Sequence, residues 1–150
     1  MDTRHFFLQA LAATGLICVA SIGFASPLIT AEEAARPAAS APVVHRAITR
    51  GPGIKLVAPD TGITEAKSPM DIKIGFEPRG GAKIDLGSLK VVYLKSPTVD
   101  LLERVKRGLS ETGIDLRNAE LPPGDHQLRI TVQDSEGREG NAIVSLKVAR

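Results

Sequence analysis

The sequence predicts an all-β sandwich, and two observations lead to this fold class. Near the C-terminus, apolar side chains alternate with polar ones in two successive runs, 128–132 and 142–148, joined by a polar turn. A period of two is typical of strands with one face in a core and the other in water. Upstream, similar short runs are separated by turns rich in Gly and Pro. This spacing favours a sandwich or barrel of antiparallel strands.

Residues 1–25 have the order of a secretory signal peptide. Arg4 gives a positive start, and an uncharged apolar run continues from Phe6 to Phe24. Gly23 and Ala25 then place small side chains before a cleavage site that we predict after Ala25. We therefore expect an exported protein, periplasmic in the first instance, with secretion or membrane anchoring as alternatives.

Two other interpretations of the leader stay open. The apolar run is long enough for an uncleaved anchor, which needs roughly 20 residues, and such an anchor is the only membrane contact that the sequence predicts. Lipid modification of Cys18 is disfavoured, because Ile17 occupies the position where a lipoprotein site needs a small residue. Cys18 is the single cysteine, so cleavage leaves a mature chain with neither disulfides nor thiol chemistry.

Residues 26–52 differ in composition from residues 53–150. They are rich in Ala, Pro and Ser and show no sustained periodicity, and Pro37 and Pro42 discourage a long helix. Such a segment buries little apolar surface and favours extended chain. The sequence predicts a disordered, flexible linker here, and one folded domain over residues 53–150.

Each predicted strand of this domain has one apolar parity. Parity assigns Ile72, Ile74, Leu128, Ile130, Val144 and Leu146 to the core. The other apolar residues that share a parity within their strands are Ile54, Leu56, Phe76, Leu89, Val91, Tyr93, Val132, Ala142 and Val148. Residues 114–116 form a further short strand. The sandwich should therefore hold its core between two sheets.

Residues 98–108 depart from the strand pattern and predict one short helix. Val99, Leu102 and Val105 have near-helical spacing, Asp100 and Glu103 have the spacing of a capping box, and Gly108 suits a helix end. We expect about two turns of helix against an end or edge of the sandwich. The basic residues in and near this segment (Lys95, Arg104, Lys106 and Arg107) form either a small patch or, as we favour, a solvated helix face.

Composition limits the classes of partner. The chain has 19 basic and 17 acidic side chains, a net charge of +2, and only 3% aromatic residues. A balanced charge predicts no nucleic-acid partner. The scarcity of aromatic faces disfavours platforms that stack bases or sugars.

A family resemblance rests on several runs, of which 121–138 (LPPGDHQLRITVQDSEGR) is the most specific. Together with 51–59, 68–74 and 86–93, it resembles the bacterial immunoglobulin-like (fibronectin-III-like) domains of exported proteins. The chain departs from the antibody branch in lacking a cysteine pair and a tryptophan, and His126 lies near the usual corner tyrosine. The resemblance implies an immunoglobulin-like β-sandwich acting as a spacer or binding module, with no catalytic residues to carry over.

Chemistry-bearing residues are sparse. His45 lies in the predicted linker, and His126 is in phase with the core residues of its strand, so we interpret His126 as a satisfied structural histidine. Acidic residues recur at turns, where capping is favoured over a calcium site. We predict no metal, no cofactor and no enzymatic activity.

The sequence thus predicts a noncatalytic exported module for protein–protein contact or cell-envelope scaffolding. The alternatives are a glycan- or cell-wall-binding accessory domain and, less favoured, an enzyme with an unrecognised site. Strand parity leaves Val92, Leu94 and Ile143 apolar on the outward face of strands that should lie near one another, which makes them the candidate partner surface for an envelope protein. The alternative is that this face packs under the helix predicted over 100–107. The partner's identity and the oligomeric state stay open.

Overall fold

The computed structural model describes residues 27–40, 50–60 and 65–150. The predicted signal peptide (1–25) and residues 26 and 41–49 of the predicted linker, including His45, lie outside the described residues. The strands are β1 (Gly53–Ala58), β2 (Met70–Glu77), β3 (Ile84–Tyr93), β4 (Val99–Asp100), β5 (Leu109–Ser110), β6 (Gly113–Ala119), β7 (Gly124–Asp134) and β8 (Glu139–Val148). The helices are α1 (Ala31–Ala35), α2 (Leu102–Val105) and a 3-10 turn (Lys106–Gly108).

The strands form two antiparallel sheets of four, as a β-sandwich requires. The first sheet has the order β1-β2-β6-β5 and the second has the order β4-β3-β7-β8. The long β7–β8 hairpin dominates the second sheet, with continuous register from Gly124 opposite Val148 to Gln133 opposite Glu139. The predicted fold class is thereby confirmed as a mostly β protein with two packed sheets.

The core lies between the sheets and follows the predicted parity. The buried strand residues shared with the prediction are Ile72, Ile74, Phe76, Leu89, Val91, Tyr93, Leu128, Ile130, Val132, Val144, Leu146 and Val148. Ile54 and Leu56 pack against this cluster from the edge strand β1 and stay partly exposed. Alternation of side chains across each strand explains why parity alone identified these residues.

The β7–β8 turn is closed by Asp134, an acidic turn residue of the kind that the sequence assigned to capping. Its Oδ1 accepts the backbone N–H groups of Glu136 and Arg138, and its Oδ2 lies 2.8 Å from the Arg138 Nε. Gly137 has a φ of 75°, which favours glycine. The carboxylate thus satisfies the turn's donors, and these bonds lower the pKa of Asp134 against the opposing effect of its burial.

The helix predicted over 100–107 is present but differs in detail. It has four α-helical residues and then the 3-10 turn, and Leu101 rather than Asp100 is its N-cap. The predicted capping box is not formed, because Asp100 Oδ1 accepts the N–H of Leu102 while the Glu103 side chain pairs with Lys106. The helix is positioned instead by Leu101, which is fully buried and whose N–H bonds to the Val91 carbonyl.

Residues 27–40 correct the prediction of a flexible spacer. Leu28 and Ile29 are each 1% exposed and belong to the core cluster. The N–H of Leu28 bonds to the carbonyl of Glu120, next to the first sheet, while Ala38 forms a bridge with Lys95, next to the second. We call residues 27–40 the strap, because they run across the sandwich from one sheet to the other.

Candidate functional site

A row of side chains crosses the outer face of the second sheet. The strand register places Val92 opposite Asp100 on β4 and opposite Arg129 on β7, and Arg129 opposite Ile143 on β8. We call these four residues the outer row. Val92 and Ile143, predicted to lie near one another, therefore share a row with Arg129 between them.

The outer row is accessible and combines apolar and charged groups. Val92, Arg129 and Ile143 are partly exposed, and Asp100 is exposed. Their chain neighbours, among them Val91 and Ile130, point into the core, so the row faces outward. Among the described residues, no acidic side chain pairs with the Arg129 guanidinium. A guanidinium with an aliphatic stem, flanked by two β-branched side chains, can bind a surface that is itself apolar and acidic.

Leu94, the third residue of the predicted partner surface, does not join the row. It lies just past the end of β3, where the alternation that predicted its orientation stops, and it is 7% exposed. Its N–H bonds to Gln127, and its carbonyl accepts the N–H of Ala39 in the strap. Leu94 therefore offers almost no surface to a partner.

The strap is fastened by an ion pair that sequence reasoning missed. Arg104 donates from its two terminal nitrogens to the two carboxylate oxygens of Glu33, each at 2.7 Å, and also to the Leu28 carbonyl at 2.9 Å. These hydrogen bonds, led by those from Arg104, lower the pKa of Glu33 to about 2. The Glu33 side chain is 10% exposed and the Arg104 side chain 33% exposed, and a bidentate pair of this kind has fixed geometry.

Glu33 also completes a capping box for α1. The Thr30 side chain accepts the N–H of Glu33, and Glu33 Oε2 accepts the N–H of Thr30 at 2.9 Å. The Thr-x-x-Glu spacing was visible in the sequence as a helix-start signature. Arg104 lies 71 residues away along the chain, so no local pattern indicated the pairing.

His126 is a satisfied structural histidine, as predicted. It is 1% exposed, and its Nδ1 lies 2.8 Å from the hydroxyl of Tyr93, which is fully buried. Its Nε2 lies 2.7 Å from the Pro122 carbonyl, which can only accept, so Nε2 carries the proton and Nδ1 accepts from Tyr93. Both ring nitrogens are thus occupied, and neither is free to act as a base or a metal ligand.

Burial sets the protonation of this pair. Desolvation lowers the pKa of His126, and the same effect raises the pKa of Tyr93 to about 12. Both groups are therefore neutral near pH 7. The pair joins β3 to the start of β7 in the core of the second sheet.

Three of the four basic side chains in and near α2 have partners of their own. Arg104 is engaged by Glu33, and Lys106 by Glu103. Lys95 Nζ lies 5.5 Å from the centre of the Tyr93 ring, within the range of a cation–π contact. The fourth, Arg107, is exposed.

The described parts of the chain contain no cluster of three or more His, Cys, Asp or Glu residues that could hold a metal ion. The same described residues form no helix that is long and apolar enough to cross a bilayer. An open groove of about 440 Å³ lies between the strap and the β6–β7 connection. Its lining is mostly proline and aliphatic, with Glu120 as the charged member.

Comparison of this chain with protein-family models, with curated proteins and with solved structures gave no match. The site is therefore interpreted from its own geometry.

Proposed function

We propose that this chain is an exported, noncatalytic immunoglobulin-like module that contacts another protein of the cell envelope through the outer row. The observation that carries the proposal is the Arg129 guanidinium, unpaired among the described residues, between the partly exposed Val92 and Ile143. Arginine is enriched where proteins bind one another, both across interfaces and among the residues that contribute most of the binding energy. The complementary partner surface would offer a carboxylate set among apolar side chains.

The strand order supports the immunoglobulin-like part of the proposal. Lettering the strands A, B, C, C′, D, E, F and G in chain order gives the sheets A-B-E-D and C′-C-F-G. This is the arrangement of immunoglobulin-type sandwiches. Antibody-type domains pack a tryptophan of strand C on a disulfide that joins the two sheets. In this domain strand C carries Tyr93 instead, which bonds His126 of the neighbouring strand F within one sheet.

Export is proposed from the leader sequence, with the periplasm as the first expected location. N-terminal sequencing of protein recovered from the envelope tests it. A mature chain beginning at Ser26 supports cleavage, whereas a chain beginning at Met1 and pelleting with membranes supports an anchor.

Glycan binding is the second candidate, and the groove beside the strap is the only observation that favours it. The groove includes Thr30, Ser68 and Glu120 as polar members but no aromatic ring. Sugar rings bind preferentially against aromatic faces. The outer row therefore supports protein contact better than the groove supports a glycan.

Charge reversal at the outer row tests the proposal. Arg129→Glu and Val92→Glu, each made in the full chain, should reduce capture of the envelope partner after crosslinking by about tenfold or more, without changing the melting temperature. Lys55→Glu is the matched control, because Lys55 is exposed on the outer face of the first sheet. Undiminished capture by both variants would contradict the assignment, and retention on cell-wall polymer alone would favour the glycan candidate.

A further inference from the structure

A second cation, Lys90, lies beside Arg129 on the outer face of the second sheet. In the register, Thr131 lies opposite Lys90, and Arg129 is two residues away on the same strand and face. Lys90 is exposed and both of its chain neighbours are buried, so its side chain points outward with the outer row. Lys90 and Arg129 are therefore diagonal neighbours on adjacent strands, at a separation of about 7–8 Å.

Neither of these two cations forms an ion pair within the described parts of the chain. The register places two carboxylates at the border of the pair, since Asp100 lies opposite Val92 and Asp85 lies further along β3. Each of these acids already accepts a backbone N–H of its own segment, at 2.8 Å for Asp100 and 2.9 Å for Asp85. The positive charge of the pair is thus not neutralised within the domain.

The outer face of the first sheet shows the contrasting arrangement. There Lys73 lies opposite Asp115, with 3.7 Å between the ammonium nitrogen and a carboxylate oxygen. The exposed charged residues of its strands balance, with three cations and three carboxylates: Lys55, Lys73, Arg117, Asp71, Glu77 and Asp115. On the second sheet, the outward side chains of β7 and β8 nearest the cation pair are uncharged: Gln127, Thr131, Asn141, Ile143 and Ser145.

Two like charges on adjacent strands repel each other when no acid lies between them. A bound anion would relieve this repulsion, whereas the solvated domain alone keeps it. The unbalanced pair therefore favours an anionic group on the partner, and the spacing of the pair favours two such groups rather than one.

We propose that the envelope partner binds this face with an acidic segment, placing one carboxylate on Arg129 and a second on Lys90. The inference rests on the proposed function and names the chemistry of the partner. A guanidinium can hold a carboxylate through two parallel N–H donors, and an ammonium binds the second as a point charge. The two carboxylates need a spacing of about 7 Å on one side of the segment, as alternate residues of an extended chain have.

Neutral side chains complete the site around the two cations. Thr131 and Asn141 lie opposite each other, and Thr131 also lies opposite Lys90. A hydroxyl and an amide can donate to carboxylate oxygens that the cations leave free. Val92 and Ile143 flank Arg129 and offer apolar contact to the side chains between the acids. A phosphate-bearing polymer would neutralise the cations but leave these two side chains uncovered, so a protein segment fits the face better.

Carbodiimide coupling in the native envelope tests the second contact directly. The reagent joins an ammonium to a carboxylate that touches it, forming an amide with loss of water. The full chain should give a branched peptide, identified by mass spectrometry, in which Lys90 is linked to an Asp or Glu of the partner. Lys55, exposed on the first sheet, is the internal control and should give no link to that partner.

Charge substitutions at the same position give a quantitative readout. Partner capture by a photoreactive residue at Val92 should fall about tenfold in Lys90→Glu, and by less in Lys90→Gln. Lys90→Arg should recover most of the capture that Lys90→Gln loses, although a guanidinium does not form the amide. Added salt should weaken capture by the unmodified chain more than by Lys90→Gln, because the variant has one charge fewer to screen. Unchanged melting temperatures show that the variants fold.

The outcomes separate this inference from the proposed function. Capture that is lost in Arg129→Glu but complete in Lys90→Glu would overturn the second contact and leave the proposed function standing. Complete capture in both variants would contradict the proposed function itself. Retention of the chain on a phosphate polymer, with no partner carboxylate linked to Lys90, would overturn the acidic protein segment.

Discussion

His126 gives the domain a pH dependence that its surface charges do not predict. Its folded-state pKa is lowered by burial, so the unfolded chain binds a proton at a higher pH than the folded chain does. The free energy of unfolding should therefore be greatest above the unfolded pKa of about 6.5 and should fall as pH drops below it. Urea unfolding at pH 8, 7, 6 and 5 measures this.

His126→Gln is the control for that series. A glutamine can donate to the Pro122 carbonyl and accept from Tyr93, but it does not titrate. We expect the variant to show a flatter profile between pH 7 and 5. A wild-type profile that is equally flat would contradict the buried neutral histidine.

Single residues also show where sequence reasoning reached its limit. The in-phase position of His126 was enough to predict a structural role, because parity in a strand fixes burial. The assignment of Leu94 was wrong because β3 ends at Tyr93 and parity has no meaning beyond it. Arg129 was missed as a site residue, because its place between Val92 and Ile143 depends on the register of three strands. That register cannot be deduced from the order of residues along the chain.

At the scale of elements, strand register in β7 is tested by a neighbouring pair of substitutions. Ile130 is fully buried, whereas Thr131 is partly exposed on the outer face. Ile130→Ala should lower the free energy of unfolding by about 2–5 kcal/mol, and Thr131→Ala by no more than about 0.5 kcal/mol. Equal losses in chemical denaturation would mean that the strand faces are wrongly assigned.

The strap is the element that sequence analysis misjudged, and its contribution to stability is measurable. Leu28→Ala removes a side chain from the core cluster and should cost about 2–5 kcal/mol. Val57→Ala is the control, because Val57 is 51% exposed on β1 and should matter little. A flexible spacer would instead give the two substitutions the same small effect in denaturant titrations.

The ion pair between Glu33 and Arg104 adds a second, acid-sensitive test of the strap. The pKa of Glu33 is lowered from 4.5 to about 2, so its stabilisation is fully present above pH 4.5 and is lost as pH falls toward 2. Glu33→Gln should remove this dependence. If acid stability between pH 4.5 and 2 is the same for both chains, the pair contributes nothing to folding.

The strap's composition explains why it resembled a linker. Alanine and proline dominate residues 27–40, and the buried apolar pair, Leu28 and Ile29, is too short to show a period. Its ordering comes from partners distant in sequence, namely Arg104 for Glu33 and Glu120 for the Leu28 backbone. By contrast, the long strands have repeating patterns of their own, which is why their faces were predictable.

For the molecule as a whole, two sheets with a shared core hold the outer row on a rigid support. The row draws one residue from each strand of the second sheet, so its geometry is fixed by the ladder hydrogen bonds rather than by loops. Because the chain has few aromatic residues and a nearly balanced charge, the proposed partner contact depends on shape, on apolar side chains and on a few charged groups. The fold class could be predicted from the sequence. Which residues meet in the outer row could be identified only from the strand register in the structure.

Site-specific photocrosslinking in the native envelope tests the central claim, that this module contacts a protein through the outer row. A photoreactive residue at Val92 should yield one discrete protein adduct, larger than the chain alone and distinct in mass from a dimer of it. The same residue at Val57, exposed on the first sheet, should yield none. An adduct from Val57 but not from Val92, or no protein adduct from either position, would contradict the account.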